Sequence, residues 1–316
     1  MRAALTAPAS RAAALVEDRR MRVLAIALMC GAMLCFTGLD TSSNWLGLRI
    51  PVLQIVWARY VSATVFALVA ARPWAHPSVL VSKRPGLQAL RSLLLLGATA
   101  CVVAALRRLQ LAESATISFL TPIFVALMAG PLLGERVGGE RMTAIVIGFL
   151  GVLVATRPGT SAFQPIVVVA VAGVASNSGY VIATRRLAGV DSPRTTLLWT
   201  QAAGVVLLTP ILPWVWLQPE SIPVWLVMAG LGVFAASGHG LLIIAHKFAP
   251  APVLTPFNYT QLVWMIISGL IVFGDWPPSA TLIGAAVVVA CGAWLALRER
   301  AAARTGAHAV EELRSG

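Results

Sequence analysis

An all-helical (all-α) membrane protein, with ten transmembrane helices as two inverted five-helix repeats, is the architecture this sequence predicts. Three observations carry it. Of 316 residues, 58% are hydrophobic and only 11% charged, with a mean hydropathy of +0.83. A soluble domain carries roughly 25% charged residues, and this composition could not cover a soluble surface of that size. The apolar residues fall into ten runs of about 20, the length that crosses about 30 Å of hydrocarbon. Landmark residues then recur between the two halves of the chain at a nearly constant offset.

Residues 1–21 are Ala- and Arg-rich without a core pattern and read as a cytoplasmic disordered tail, within which Met21 is an alternative start. The apolar runs are 23–41, 51–71, 87–106, 114–133, 142–156, 164–184, 195–217, 222–245, 251–273 and 279–297. Arginines precede the first, as in a signal peptide, but the run is 19 residues long and lacks a small-x-small cleavage site. It reads as a retained helix. The second opens on Pro51 and the fifth is short. In the ninth, Pro252 and Pro256 each remove a backbone donor from the first turns, freeing carbonyls that can line a cavity. Connections are mostly five to ten residues, so neighbouring helices form antiparallel hairpins. The longest, 72–86, is marked by Arg72-Pro73 and Lys83-Arg84-Pro85, and residues 299–316 form a cytoplasmic tail.

The net charge of +12 comes from 24 Lys+Arg against 12 Asp+Glu. These cations stand singly or in pairs between apolar runs, which is the pattern of topology determinants rather than of a nucleic-acid-binding stripe. With the N-terminus inside, the cytoplasmic segments hold nineteen: Arg2, Arg11, Arg19, Arg20, Arg22, Arg72, Lys83, Arg84, Arg91, Arg136, Arg141, Arg185, Arg186, Arg194, Lys247, Arg298, Arg300, Arg304 and Arg314. The opposite face holds Arg49, Arg107, Arg108 and Arg157. Both termini are therefore expected to be cytoplasmic, in a multi-pass protein of the plasma (bacterial inner) membrane. Cys30, Cys35, Cys101 and Cys291 all lie in apolar runs without CxxC spacing and read as buried reduced thiols.

Pro51 and Trp57 of the second run meet Pro193 and Trp199 of the seventh at an offset of 142. Gly134-Glu135 meets Gly274-Asp275, and Arg107 meets Lys247, both at 140. Two five-helix units follow, 22–157 and 164–298. Because five is odd, the second enters the membrane from the opposite side, an architecture of secondary carriers that alternate access around a midplane site. The chain also resembles the EamA type of the drug/metabolite transporter superfamily. The resemblance lies in Leu111-Ala112-Glu113-Ser114-Ala115-Thr116 leading to Thr121-Pro122 and Gly134-Glu135-Arg136. Its second half is Phe257-Asn258-Tyr259-Thr260-Gln261-Leu262-Val263-Trp264 followed by Gly274-Asp275-Trp276-Pro277. Asp275 stands where the family usually carries Glu. The resemblance covers about 275 residues and implies the ten-helix fold, not the substrate.

Polar residues inside spans are the candidate site. Arg59 lies about 12 Å below Pro51 at about 1.5 Å per residue, too deep to snorkel fully to water, and Asp40 is its nearest acidic candidate. Either Arg59 meets an anionic solute group or gates the outer half with Asp40, or the two form a structural ion pair. Asn177 and Tyr180 are three apart on the sixth run, as are Asn258 and Gln261 on the ninth, with Tyr259 and Trp264 nearby. They read as solute ligands, against the alternative of interhelical hydrogen bonding. Gln201 falls at the repeat mate of Arg59. His239, between Gly238 and Gly240, reads as a proton relay or as a neutral packing residue. Trp57, Trp199, Trp214, Trp216 and Trp225 suit the interfacial belt, and Glu135 and Asp275 suit structural capping in turns.

There is no HExxH, Walker or GxSxG motif and no His/Cys cluster at ligand spacing. The expectation is a secondary active carrier, not an enzyme, for a small polar or aromatic metabolite. The alternative is an intramembrane enzyme or a receptor without transport. The expected partners are a small-molecule solute, the lipid bilayer and a coupling ion, proton or sodium. No cofactor, metal or nucleic acid is expected, and a homodimer is compatible with the chain.

Overall fold

A computed structural model describes residues 7–133, 139–158, 160, 163–187, 190–249, 251–294 and 297. Among them every regular element is helical. The first repeat holds α1 (Ala7–Gly47), α2 (Val52–Ala71), a 3-10 turn (Pro77–Leu80), α3 (Pro85–Leu106), α4 (Leu111–Ser118), α5 (Thr121–Leu133) and α6 (Gly139–Thr156). The second holds α7 (Ile166–Leu187), α8 (Pro193–Leu208), the single turn α9 (Leu212–Val215) and α10 (Ile222–Phe248). It continues through the single turn α11 (Ala251–Leu254), a 3-10 turn (Thr255–Tyr259), α12 (Thr260–Ser268), a π turn (Gly269–Phe273) and α13 (Ser279–Trp294).

Seven of these helical segments are long and apolar enough to cross a membrane, from Arg20–Gly47 to Pro256–Phe273, and two shorter apolar helices are Val146–Thr156 and Ser279–Trp294. The protein is a multi-pass membrane protein. Three features differ from the sequence reading. Residues 7–21 continue α1 instead of forming an unstructured tail, as a segment rich in alanine, the strongest helix former, will do. The seventh run, expected over 195–217, stops being one continuous helix at Leu208, with only the single turn α9 beyond it, because Pro210 and Pro213 follow and cannot donate into a continuing helix. The fourth run is broken between Ser118 and Thr121. Pro122 lacks an N–H and its ring would strike the carbonyl of residue 118 in a continuous helix. Pro256 stands in the 3-10 turn that interrupts the ninth run in the matching place. Both repeats therefore carry a discontinuous helix, and only the second break was visible beforehand. Gly134 and Glu135 lie outside the described residues. Gly274 caps the ninth run at φ +71°, a left-handed conformation that glycine takes without a Cβ clash. The Asp275 amide then donates to the Gly269 carbonyl at 3.0 Å.

Helix pairing obeys exchange of the repeats. The pairs α1–α10 and α7–α3 are mates under that exchange, as are α2–α10 and α8–α3, while α2–α8 maps onto itself. Tryptophans mark the same relation: Trp57 Nε1 donates to Thr209 Oγ1 and Trp199 Nε1 to the Leu80 carbonyl, each at 3.0 Å. Close packing rests on small residues, since lipid tails compete with apolar side chains and leave van der Waals fit to hold helices together. Gly204 of α8 leaves room for the Tyr60 ring, and Gly284 of α13 lies directly on the Gly151 backbone of α6. Outward faces expose Val69, Val206, Ile271 and Ile283, an apolar surface suited to lipid rather than water.

The two ends of the helix bundle are tied differently. At one, Asn44 Nδ2 donates to the Leu106 carbonyl at 2.6 Å and Arg107 Nε to the Gly47 carbonyl at 2.7 Å. Gln54 exchanges two hydrogen bonds with the Leu217 backbone, at 2.9 and 3.0 Å. At the other, Asp191 in the α7–α8 connection accepts from Ser82 Oγ at 2.5 Å, and from the Lys83 amide and Gln88 Nε2 at 2.9 Å each. These bonds, the Ser82 hydroxyl foremost, hold the Asp191 carboxyl below its usual 3.8. A depressed carboxyl value contributes stability that is complete above the unfolded value and is lost as pH falls through the folded one. Asp191→Asn should therefore melt below wild type at neutral pH. The gap should close as the pH falls from about 4 through the folded-state value, and thermal unfolding of the two proteins across pH 2–7 measures it.

Candidate functional site

Between the repeats lies a cavity of about 1090 Å3. Its walls come from both halves: α1, α2, α3 and α5 on one side, α7, α8, α10 and α12 on the other. The lining runs out to the exposed Pro193 and Arg194 at the Asp191 end, and the hydrogen bonds at Asn44, Gly47 and Gln54 tie the far end.

The deep part gathers Asp40, Arg59, His239, Gln261, Asn177 and Thr121. Gln261 Nε2 donates to Asp40 Oδ2 at 3.4 Å, and Asn177 Nδ2 to Thr121 Oγ1 at 3.5 Å. Both distances are long for a hydrogen bond, so the amides stay available to a solute. Thr121 and Gln261 are repeat mates at an offset of 140, each at the break of its discontinuous helix. Arg59 acts electrostatically on both Asp40 and His239. Among the described residues the hydrogen-bond partner of the Asp40 carboxylate is Gln261, not Arg59. The His239 ring meets the Phe36 ring edge-on, with centroids 5.0 Å apart. The missing Cβ of Gly238 makes room for that ring.

The shallower part is built on Arg91, which the sequence reading placed on the cytoplasmic surface. It is 5% exposed, in the second turn of α3. Its Nε donates to Thr184 Oγ1 at 2.7 Å and its Nη2 to the Tyr180 hydroxyl at 2.8 Å. Its Nη1 donates to Thr200 Oγ1 and, at 3.4 Å, to the Thr196 carbonyl. The guanidinium also lies 4.5 Å from the centroid of the Tyr180 ring. These partners sit on α7 and α8, some 90 to 110 positions along the chain, which is why proximity to a span end misassigned it. A usable signal was present: Tyr180 and Thr184, and Thr196 and Thr200, are hydroxyl pairs at i,i+4, each pair on one helix face.

Of the residues singled out from sequence, Asp40, Arg59, Asn177, Tyr180, His239 and Gln261 line the cavity, as does Gln201. Asn258, Tyr259 and Trp264 are not among the lining residues. Asn258 lies in the 3-10 turn and Gln261 in α12 beyond it, so the two lose the common face an unbroken helix would give. The Tyr259 ring stands edge-on to Phe119 at 5.1 Å, and its hydroxyl fills the space that Gly292 leaves. Trp264 packs on the buried cluster of α1, α10 and α11, with its Nε1 buried and without a hydrogen-bond partner.

A membrane-embedded pair of helical repeats around a largely apolar cavity that carries a few polar and charged side chains is the build of a solute carrier. The chain belongs to the EamA-like transporter family, which it matches over residues 23–157 and 164–298. It is 26% identical over 289 residues to a riboflavin transporter of Brucella anthropi, covering 88% of this chain and all of the relative. It is 23% identical over 253 residues to an S-adenosylmethionine uptake transporter of Rickettsia prowazekii, covering 79% and 84% of the two chains. A crystal structure at 21% identity shares the fold, with a TM-score of 0.60 over 87% of this chain and 97% of the other.

Proposed function

We propose that the protein is a secondary active carrier for a small polar or aromatic metabolite, which binds in the cavity between its two repeats. The observation that carries this reading is the cavity itself: about 1090 Å3, lined from both repeats, with Asp40, Arg59, Asn177, His239 and Gln261 at its deep end. In this reading the chain makes ten crossings, with the shorter α6, α8 and α13 as the fifth, seventh and tenth, and both termini cytoplasmic. Units 22–157 and 164–298 are then inverted in the membrane, and the two discontinuous helices place polar groups at the midplane. The cation bias supports the orientation; removing Arg91 from it leaves eighteen against four. The cavity then faces the cytoplasm, and closure at Asp191 with release of the Asn44 and Gln54 bonds would expose the solute outside. The relatives' names support a metabolite of roughly vitamin or nucleoside size.

Purified protein in sealed vesicles should move such a solute, riboflavin and S-adenosylmethionine being the first probes, when a proton, sodium or counter-solute gradient is imposed. It should do so without ATP. Transport that persists with gradients collapsed and stops when ATP is removed would sink the secondary-carrier reading. Orientation is read separately: a cysteine placed at Ser78 should react with an impermeant maleimide only from the cytoplasmic side. Labelling from outside would overturn the ten-span arrangement.

A further inference from the structure

The buried charge around the cavity does not balance. Arg59 has Asp40 within electrostatic reach. Arg91 has only neutral acceptors: two threonine hydroxyls, a tyrosine hydroxyl and one carbonyl. Among the described residues no carboxylate stands beside it; its titratable neighbours are Tyr180 and Tyr60. Neutral acceptors satisfy N–H groups but leave the positive charge, which is costly inside a membrane protein and marks a functional position. Of the five N–H groups of a guanidinium, the bonds named occupy four and leave one on Nη2.

A second unpartnered group lies in the wall of the same cavity. Tyr60 lines the cavity at 2% exposure, and its hydroxyl has no hydrogen-bond partner. Thr99 stands beside it but not in hydrogen-bond geometry. Gly204 lets the Tyr60 ring lie flush on α8. A buried hydroxyl without a partner is destabilising, a cost that a ligand oxygen would remove.

We propose that Arg91 and the Tyr60 hydroxyl form an anion subsite in the cytoplasmic half of the cavity that holds a carboxylate of the solute, a group that S-adenosylmethionine carries and riboflavin does not. This rests on the cavity being the solute site. Arg59 is the eighth residue of α2 and Arg91 the seventh of the antiparallel α3. The two cations therefore differ in depth by on the order of 10 Å at about 1.5 Å per residue. A solute anchored at Arg91 has its remaining polar groups aimed toward Asn177, His239 and Gln261. One unbalanced buried cation matches one negative charge, so a carboxylate fits and a phosphate dianion would leave an excess. The N–H left on Nη2 can give a carboxylate one charge-assisted hydrogen bond, and the Tyr60 hydroxyl can give it a second.

The test uses two small probes of one shape, benzoate and benzamide, at matched ionic strength, with thermal unfolding of the purified full-length protein in detergent as the readout. Benzoate should protect wild type at concentrations where benzamide does not. Arg91→Gln should abolish the difference, Arg91→Lys should keep part of it, and Arg108→Gln, which removes an exposed cation outside the cavity, should retain it. Tyr60→Phe removes only an unbonded hydroxyl, so it should fold as wild type does and weaken benzoate protection about five- to tenfold. Equal protection by both probes in wild type overturns the proposal. So does a preference that survives in Arg91→Gln or vanishes in Arg108→Gln. Should Arg91→Gln fail to fold, undiminished benzoate protection in Tyr60→Phe overturns it alone. The preference is read without transport, so failure of vesicle uptake would sink the carrier reading and leave this result standing.

Discussion

Arg59→Ala is expected to abolish transport of an anionic or zwitterionic solute while the protein still folds and reaches the membrane. Arg59 lines the deep end of the cavity, and its effect on Asp40 and His239 is electrostatic. Removing it leaves Asp40 as an uncompensated buried charge, and also takes away the deep cation a solute would meet. Arg59→Lys keeps the charge and loses the fork that binds two oxygens at once, so it should transport slowly with a raised KM. Gln261→Ala should weaken solute binding by about 1–3 kcal/mol. Asn258→Ala should do so much less, since only Gln261 faces the cavity. Vesicle uptake measured against the amount of protein inserted checks all four. Wild-type uptake by Arg59→Ala would remove it from the solute path. Loss of insertion instead would show that its partnership with Asp40 holds α1 against α2.

Gly284→Leu is expected to prevent stable assembly. A Cβ at Gly284 would meet the Gly151 carbonyl oxygen and the backbone of Ala155, and Gly151 in turn faces Val287 and Val288. Backbone cannot step aside as a flexible side chain can. Overpacking typically costs about 1–3 kcal/mol and more where helices must separate. Here it would part α6 from α13, so folded yield should fall severely. Gly230→Leu is the matched control, because a Cβ there meets nothing within 4 Å. Monodisperse yield in detergent and the Tm of what remains compare them, and a stable Gly284→Leu protein would show that the α6–α13 crossing is dispensable.

The legible part of this protein was what lies along the chain. Apolar run length, prolines at 252 and 256 and cations between runs are local signals, and they placed most helices within a few residues. The break at Ser118–Thr121 was missed although Pro122 was in view, because the run around it is apolar enough to read as one helix. The polar residues were harder. Arg59 stood out because it interrupts an apolar run far from its ends, and Asp40 because it is the nearest acidic candidate to pair with it. Arg91 did not, since it lies near the start of a span and resembles an ordinary surface cation. Tyr259 and Trp264 looked like site residues by proximity to Gln261, and they pack into protein instead.

Membrane class, helix order and the two repeats were thus set by the sequence alone, because bilayer thickness turns composition and run length directly into structure. Which polar groups meet was decided only in the tertiary structure. The partners of Arg91 come from helices 89 to 109 positions away, and Gln261 reaches Asp40 across 221. Such contacts follow from how two repeats close around a cavity, and no local pattern along either strand of the repeat encodes the rotation that brings those faces together.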